Sequence, residues 1–571
     1  MTGISPQLER MFAIRHADNV KAIEGFSFAI VAIAGIFIIS HLVRTAYHGV
    51  RRQKGGTAIR VLSAPFRMIR NSSVYSFPYF PSTGHAFIIG VFIALNIIFL
   101  FTFNNNSNFN LQTNVASRTG WLAMINMLFS VFLALKNTPL AFLTAWSYER
   151  LNILHRYSGA FAVLHMIVHA CCYSAYFSSA HESYMLTKTS SVCGILAGSS
   201  FFLLGLGGIF LRRWWYELFY YFHIFCFTLA LITLGIHQPS IAEGFLVITI
   251  LTGVMWALDR LIRVFRLLFY SANNKVTLTP LPHGGTRVTL AKAPLGALSG
   301  KHCFLWIPAI RSFETHPFTI SAMDPLEFVV KAHDGFTKEL HDRAVAQPGV
   351  QLKVSVEGSY GTFPTPSSFD NVVLIAGGTG ASFTFGAAFN ALKQLKEKNT
   401  TKIMFIWAVR HRSLLSWYAN HLQTLGSDPR VSIHIFVTKG RDALESSGNS
   451  MTESEDGRPC GSPTTHEISP TIISSASSSS GDPEKGIVAI QHSDLTSMSR
   501  IDAYSGFPIT WKRPDVPAMI QGVVAESARH QSVLVMGCGP SSLMTQVRNT
   551  TAECIRSDGP TVELHCEQFG W

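Results

Sequence analysis

Two histidine pairs, His155 with His169 and His223 with His237, repeat one spacing of 14 residues in two separate apolar segments. Fourteen residues of α-helix make almost four whole turns and rise about 21 Å, so the members of a pair share one helix face at different depths. Two such helices side by side present four imidazoles at two levels. A six-coordinate haem takes one axial ligand from each side, so two levels hold two haems. A lone histidine in an apolar helix is as often a helix–helix hydrogen-bonding group. Two matched pairs are not explained that way, and ionisable residues inside a membrane segment are costly and usually functional. His165 lies four residues before His169, near the same face, and competes for one position. The partner helix offers only the 14-residue spacing, which favours His169.

Further strings that can do chemistry follow in the second half of the chain. HPFTIS places His316, Pro317, Phe318 and Thr319 at a turn between strands. VVKAHDGFTKEL puts Lys331 at a strand end and Gly335, Phe336 and Thr337 where the strand yields to a helix, whose N-terminus can hold a pyrophosphate. VEGSYGTF sets Gly358 and Gly361 in a tight turn. AGGTGAS follows an apolar strand and opens a helix; Gly377, Gly378, Thr379 and Gly380 let backbone and pyrophosphate approach closely, although full GxGxxG spacing is missing. A second strand-end motif, MGCGP, carries Cys538, Gly539 and Pro540 and is expected near a nicotinamide. After a third strand, Arg410 and Arg412 are placed to recognise a 2′-phosphate, which would prefer NADPH to NADH. The chain stops at EQFGW, and Trp571 is placed to stack on a flavin where nicotinamide enters. No catalytic triad or carboxylate pair is evident, so no acid–base catalyst is assigned.

These groups need elements to hold them. Of 571 residues only 14% are charged, a balance that fits a membrane protein carrying a soluble part. Apolar runs of spanning length occur near 25–43, 84–103, 119–135, 154–177, 192–211, 215–237 and 241–259, about seven spans, the third being the shortest. The first is long enough to stay in the membrane and is read as a span, not a removed signal peptide. The net charge of +12 gathers between spans: Arg44 to Arg70, then Lys136, Arg150 and Arg156, then Arg212 and Arg213, then Arg260, Arg263 and Arg266. The alternate loops are nearly devoid of positive charge, so membrane topology explains the charge better than nucleic acid does. By the positive-inside rule the N-terminus is outside and everything after about 260 is cytosolic. His155 and His223 are then the inner level, His169 and His237 the outer. Asn105 opens a sequon on the outer side, whereas Asn71 opens one on the inner side and is not expected to be glycosylated. Nine cysteines show no metal-ligand spacing and no disulfide framework.

From about 271 the pattern changes to short β-like runs (KVTLTPL, TRVTLAK), as in an antiparallel barrel. From about 371 it becomes strand, glycine turn, helix, with later strands KIMFIWAVR, VSIHIFVTK and QSVLVMGCG, as in a parallel α/β sheet. A Ser/Thr/Pro/Glu-rich tract near 441–500 is expected to be a disordered insertion.

Taken in order, LHRYSG with His155, the histidine at +14, YELFYYFH with His223, the histidine at +14, HPFT, GSYG, GGTGAS, CGP and the aromatic end resemble the fungal ferric reductase family, related to the NADPH oxidases. The resemblance covers nearly everything from about 84 onward. It implies a helical membrane bundle followed by a cytosolic ferredoxin-NADP reductase-like module, an antiparallel FAD barrel plus an α/β NADPH domain. It implies two b-type haems on the four histidines, FAD at His316, Pro317, Phe318 and Thr319, and NADPH at Gly377, Gly378, Gly380, Cys538 and Gly539. Boundaries are expected at 1–83 (first span and basic loop), 84–270 (haem-binding membrane domain), 271–365 (FAD barrel) and 366–571 (NADPH domain with the insertion). The implied activity is an NADPH-dependent ferric-chelate reductase, a metalloreductase that passes electrons through FAD and the haems to ferric chelates or Cu(II) across the membrane, in iron transport and homeostasis. The alternative is an NADPH oxidase making superoxide. Ferrous-iron or copper uptake proteins are implied partners, and the plasma membrane, with the vacuolar membrane as second choice, the implied location. The chain departs from the family in having only about 24 residues before the first span and Asp334 before Gly335 where relatives often have two glycines.

Overall fold

The computed structural model describes residues 6–53, 69–103, 109–238, 243–395, 400–439 and 503–567. Seven helices are long and apolar enough to cross a membrane, and the chain is a multi-pass membrane protein. They are α1 (Pro6–Gln53), α2 (Thr83–Phe101), α3 (Leu111–Ala134), α4 (Tyr148–Ser179), α5 (Thr189–Leu206), α6 (Tyr216–Ile236) and α7 (Glu243–Ser271). A π-helical turn, Gly207–Leu211, carries α5 on towards Trp214. The third span is not the short one that hydropathy suggests: α3 has 24 residues, more than the 19 of α2. Its signal is weak because protein, not lipid, surrounds it. In its most apolar window 72% of residues are buried, against 22% or less in the other spans.

An enclosed helix can carry polar side chains if neighbours satisfy them. Arg118 of α3 is 1% exposed. Its guanidinium donates to the carbonyls of Phe99 (2.7 Å), Thr102 (2.5 Å) and Phe103 (3.1 Å) where α2 ends, and to Asn19 Oδ1 of α1 (2.7 Å). The last carbonyls of a helix lack intrahelical partners and carry partial negative charge, so a cation there is favoured. One side chain thus ties three spans together.

After α7 come two seven-stranded sheets. The first contains β1 (Lys275–Leu281), β2 (Gly285–Leu290), β3 (His302–Trp306), β4 (His316–Met323), β5 (Leu326–Lys331), β6 (Gln351–Lys353) and β7 (Ser355–Tyr360) in the order β6-β1-β2-β5-β4-β3-β7. Every pairing is antiparallel. Helix α8 (Phe336–Ala346) closes its core with Phe336, Leu340 and Ala344, one face at a spacing of four.

The second sheet contains β8 (Asn371–Gly377), β9 (Lys402–Val409), β10 (Val431–Val437), β11 (Ala503–Tyr504), β12 (Phe507–Thr510), β13 (Ser532–Cys538) and β14 (Thr561–Glu567), ordered β11-β12-β10-β9-β8-β13-β14. It is parallel except between β11 and β12. Helices α9 (Ala381–Gln394), α10 (Ala419–Gly426), α11 (Val516–Glu526) and α12 (Ser541–Cys554) accompany it. The strands are nearly continuous apolar runs, as burial on both faces requires. The serine-rich tract lies outside the described residues.

The two sheets meet where α9 crosses β4. A Cβ on Gly386 would lie 2.2 Å from Gly300 N and 2.7 Å from Ile320 O, so only glycine permits this approach. The spans in turn grip both sheets by charge. Arg263 of α7 pairs with the fully buried Glu357 at 2.7 and 3.2 Å, and Tyr360 donates to the same carboxylate at 2.6 Å. Lys136 Nζ stands 3.1 Å from the centroid of Phe304. Glu149 contacts His302 at 2.8 Å. Arg44 and Arg70 pair with Glu563, and Arg150 reaches the Cys566 carbonyl at 3.3 Å. Burial pushes the Glu357 carboxyl up, but Lys136, Arg263 and the Tyr360 hydroxyl more than offset this and hold it below the usual carboxylate range. A depressed carboxyl stabilises the folded state at neutral pH and loses that contribution as pH falls through its folded pKa.

Removing one partner of a buried pair strands the other charge and typically costs about 3–5 kcal/mol. Glu357→Ala is therefore expected to lower the melting temperature of the detergent-solubilised protein, whereas the double change Arg263→Met with Glu357→Leu should recover most of the loss. Equal melting temperatures for the single variant and the parent would show that the pair does not hold the interface.

Candidate functional site

Helices α4 and α6 bring their histidines face to face. The rings of His155 and His223 have centroids 6.2 Å apart, and those of His169 and His237 are also 6.2 Å apart. A metal–nitrogen bond of about 2 Å on each side, plus half of each ring, places two imidazoles on one metal with centroids about 6 Å apart. Both pairs fit that requirement. His155 Nδ1 lies 2.9 Å from the Ser130 carbonyl, His169 Nδ1 2.8 Å from that of Ala116 and His237 Nδ1 2.8 Å from that of Ser190. A carbonyl only accepts, so Nδ1 carries the proton in these three rings and Nε2 keeps its lone pair. His223 Nδ1 is buried with no hydrogen-bond partner among the described residues. His165 sits elsewhere: it is 4% exposed, and its Nε2 contacts Asn96 Oδ1 at 3.2 Å, which in turn accepts from Asn126 at 2.8 Å.

The strings in the first sheet converge as well. The ring of His316, at the start of β4, stacks on Phe336 at 4.3 Å and 20°. Its Nε2 lies 3.1 Å from Glu314 Oε2. The same ring contact brings Phe318 to 6.1 Å from Phe336. Residues His316 to Thr319 are half-buried while Ile320 and Ser321 are fully covered, so β4 opens a face at its first half. Gly335, at φ +60° and ψ −130°, takes a backbone region that side chains rarely adopt and starts α8. Thr337 is occupied locally: its hydroxyl accepts from His333 N at 2.9 Å and lies 3.2 Å from the Asp334 carbonyl. Phe336 contributes its backbone to the helix start, since its ring is buried in the barrel core. Lys331 ends β5 and is exposed.

The glycine strings of the second sheet meet at its centre. The chain leaves β8 for β9 and β10 on one side, then returns to β13 on the other, so the order reverses between β8 and β13. Ligands of open α/β sheets bind in the crevice beyond the strand ends at such a reversal. There Gly377 and Gly539 approach to van der Waals contact, and a Cβ on Gly380 would lie 2.2 Å from the Cys538 carbonyl. Trp407 Nε1 donates to Gly378 O at 3.1 Å and steadies the turn. Pro540 ends the second loop and precedes α12. Burial pushes the Cys538 thiol well up, so it stays protonated at neutral pH. Arg410 is exposed at the end of β9, on the same edge of the sheet, while Arg412 is drawn to the Ala503 carbonyl at 3.2 Å.

Three family profiles match successive parts of the chain: a ferric reductase like transmembrane component over residues 119–234, an FAD-binding domain over 271–364 and a ferric reductase NAD binding domain over 369–552. The chain belongs to the ferric reductase family. It is 26% identical over 403 residues to ferric/cupric reductase transmembrane component 2 of Schizosaccharomyces pombe, covering 60% of this chain and 70% of that one. It is 24% identical over 549 residues to ferric reductase transmembrane component 3 of Saccharomyces cerevisiae, covering 90% of this chain and 71% of that one. Among solved structures, a ferredoxin NADP+ reductase from Neisseria gonorrhoeae overlaps 52% of this chain and 99% of its own, at 12% identity and a TM-score of 0.30. The family's FAD- and NAD-binding domains are the two sheets described above.

Against this family background, several residues of the site are ones that sequence reasoning passed over. The carbonyls that hold His155 and His169 belong to Ser130 and Ala116 of α3, themselves 14 residues apart. Four residues after each accepting carbonyl stands a small residue: Ala134 after Ser130, Gly120 after Ala116 and Gly194 after Ser190. A Cβ on Gly120 would come within 2.7 Å of His169 Nδ1, and one on Gly194 within 2.5 Å of His237 Nδ1. The available signal was a glycine level with each outer histidine in a neighbouring span. Also unforeseen was that Arg44, Arg70, Arg150 and Arg263, read only as topology signals, pair with or reach groups on the two sheets. Trp571 and Asn105 lie outside the described residues. Asn71 donates to the Ile555 carbonyl at 3.0 Å.

Because the two glycine loops touch, Gly380→Val is expected to push them apart and, if they hold the nucleotide, to weaken NADP+ binding by about tenfold or more, about 1.4 kcal/mol, with flavin content unchanged. Calorimetric titration of the purified protein measures this. Parent-like affinity would separate the loop contact from nucleotide binding.

Proposed function

We propose that this protein is a transmembrane ferric reductase that takes electrons from cytosolic NADPH and delivers them to ferric chelates, and to Cu(II), on the opposite face of the plasma membrane. The observation that carries the proposal is the double pair of opposed imidazoles in α4 and α6, each at 6.2 Å, above two nucleotide-binding sheets on the same chain. The basic residues between spans orient it with the N-terminus outside and both sheets in the cytosol. His155 and His223 would hold the inner haem through Nε2, and His169 and His237 the outer one. FAD, when bound, accepts an electron pair from NADPH and releases electrons singly, and each haem b carries one electron at a time.

The chain's own residues bind, orient and insulate. Gly377 to Gly380 and Cys538 to Pro540 cradle the dinucleotide at the strand reversal, and Arg410 stands where a 2′-phosphate needs a cation. His316 to Thr319, Lys331 and the start of α8 at Gly335 to Thr337 frame the flavin site, with the helix N-terminus suited to its pyrophosphate. The Ser130, Ala116 and Ser190 carbonyls orient three imidazoles and fix their tautomer. The apolar shell of α3 to α6 excludes water between the levels, which prevents electrons from leaking to solvent species. No proton-transferring side chain is required at the acceptor end, consistent with one-electron reduction of a metal ion.

NADPH-driven ferrous formation by purified protein, measured with and without superoxide dismutase, tests the proposal. Dismutase-insensitive ferrous formation is expected; its disappearance under dismutase would make the protein a superoxide-producing oxidase instead. His169→Ala should leave one haem reducible by NADPH while abolishing ferrous formation. Retention of both haem spectra in that variant would return the outer ligand to His165.

A further inference from the structure

We propose that the flavin barrel is itself anchored in the membrane, with Phe313 and Leu295 inserted into the leaflet that the spans cross on the barrel's side. Both side chains are 89% exposed; among the described large hydrophobic residues only Tyr79, at 102%, is more so. They lie on two separate loops, 307–315 before β4 and 291–301 before β3. A single exposed apolar side chain is ordinary by itself; these two stand on loops tied to spanning helices, where an apolar medium is at hand. Each loop is fastened by a hydrogen bond to a spanning helix, and those bonds fix how deep each one lies.

The Phe313 carbonyl accepts from the Tyr221 hydroxyl at 3.0 Å. Tyr221 is the sixth residue of α6, whose 21 residues span about 32 Å, barely the thickness of a hydrocarbon core of about 30 Å. Every turn of α6 is thus needed to cross, so the Tyr221 backbone lies about 8 Å inside that core, and its side chain, inclined toward the helix N-terminus, carries the hydroxyl back to the core's edge. Tyr221 is itself half exposed, on the outside of the bundle, beside Trp214 and Trp215 at 78% and 60% exposed. Such an aromatic belt marks the boundary between acyl chains and headgroups. Phe313 extends that belt onto the barrel.

Leu295 is held one level further out. Its backbone N–H donates to the Tyr270 hydroxyl at 2.9 Å. Tyr270 is 26 residues after Gly244, the start of the seventh span, and so about 39 Å along α7. That lies about 9 Å past a core of about 30 Å, at the outer margin of a headgroup layer about 5–8 Å thick on each side. The occupant of both loops is therefore lipid at two depths: acyl-chain edge for Phe313, headgroup region for Leu295. The Phe313 carbonyl and the Leu295 N–H both have partners, as a membrane interface favours. The loop bearing Phe313 runs straight into His316, so the anchor also fixes how the proposed flavin string stands relative to the spans.

The full-length protein in nanodiscs of phosphatidylcholine with phosphatidylserine provides the test. Phe313→Cys and Leu295→Cys are labelled with an environment-sensitive fluorophore, with parent protein treated identically as background. Nitroxide at an early acyl carbon should quench the label at 313 most strongly, and headgroup nitroxide the label at 295, while aqueous iodide quenches neither well. Efficient iodide quenching at both positions without nitroxide quenching would overturn the proposal. So would protection seen only in discs holding two copies, which would assign the surface to a second chain. The readout requires neither flavin nor electron transfer, so it stands or falls separately from the reductase reading.

Discussion

Three of the four opposed imidazoles find an acceptor for Nδ1–H inside the apolar bundle, and there a spanning helix offers only carbonyls that are already bonded to the amide four residues on. A carbonyl can accept a second hydrogen bond, but a side chain at the fourth following residue stands in the way of an approaching ring. Gly120 and Gly194 remove that obstacle at the outer level, and at the inner level Ser130 lies in the last turn of α3, with Ala134 as the fourth residue. The consequence reaches beyond the four rings. Since α3 must present two carbonyls 14 residues apart to α4, its register and direction against α4 are set. The pairing of α5 with α6 is set likewise through Ser190. Proton placement, helix register and the 6.2 Å separations are therefore one constraint.

The second coupling runs between membrane and module. Cations gathered at span ends usually report only topology. Here they are also ligands for acids on strands, Glu357 on β7 and Glu563 and Glu567 on β14. Burying such pairs adds little net stability but strongly penalises misplacement, because a stranded charge costs far more than the pair yields. The sheets are thus held in one position against the spans, which is what electron transfer between fixed sites would require. Within the module the same logic is steric: Gly300 and Gly386 allow backbone contact between the barrel and the helix that the nucleotide loop opens.

Much was legible in the chain itself because the signals are local and periodic. Seven apolar runs, a change to alternating strands and then to strand–turn–helix units all survive in the structure as α1 to α7 and the two sheets. The 14-residue spacing needs only helix geometry to align His155 with His169 and His223 with His237. The glycine strings are recognisable since backbones that must approach each other this closely have few other choices of residue. What stayed hidden were relations between distant residues. The enclosure of α3 dilutes its hydropathy, so its length was underestimated, and the polar Arg118 that looked like a loop residue proved to be a buried tie among three spans.

The sequence alone determined element types, their order and which residues carry ring nitrogens or bare backbone, because these follow from period, composition and residue chemistry. Tertiary structure decided which of those groups meet. It turned His169 rather than His165 towards His237, since His169 reaches a helix carbonyl left accessible by Gly120 while His165 is held by Asn96. It also joined Gly377 to Gly539 across 162 residues by reversing strand order between β8 and β13. Neither outcome is written in local spacing, because both depend on how neighbouring elements pack and on where a buried polar atom can find its partner.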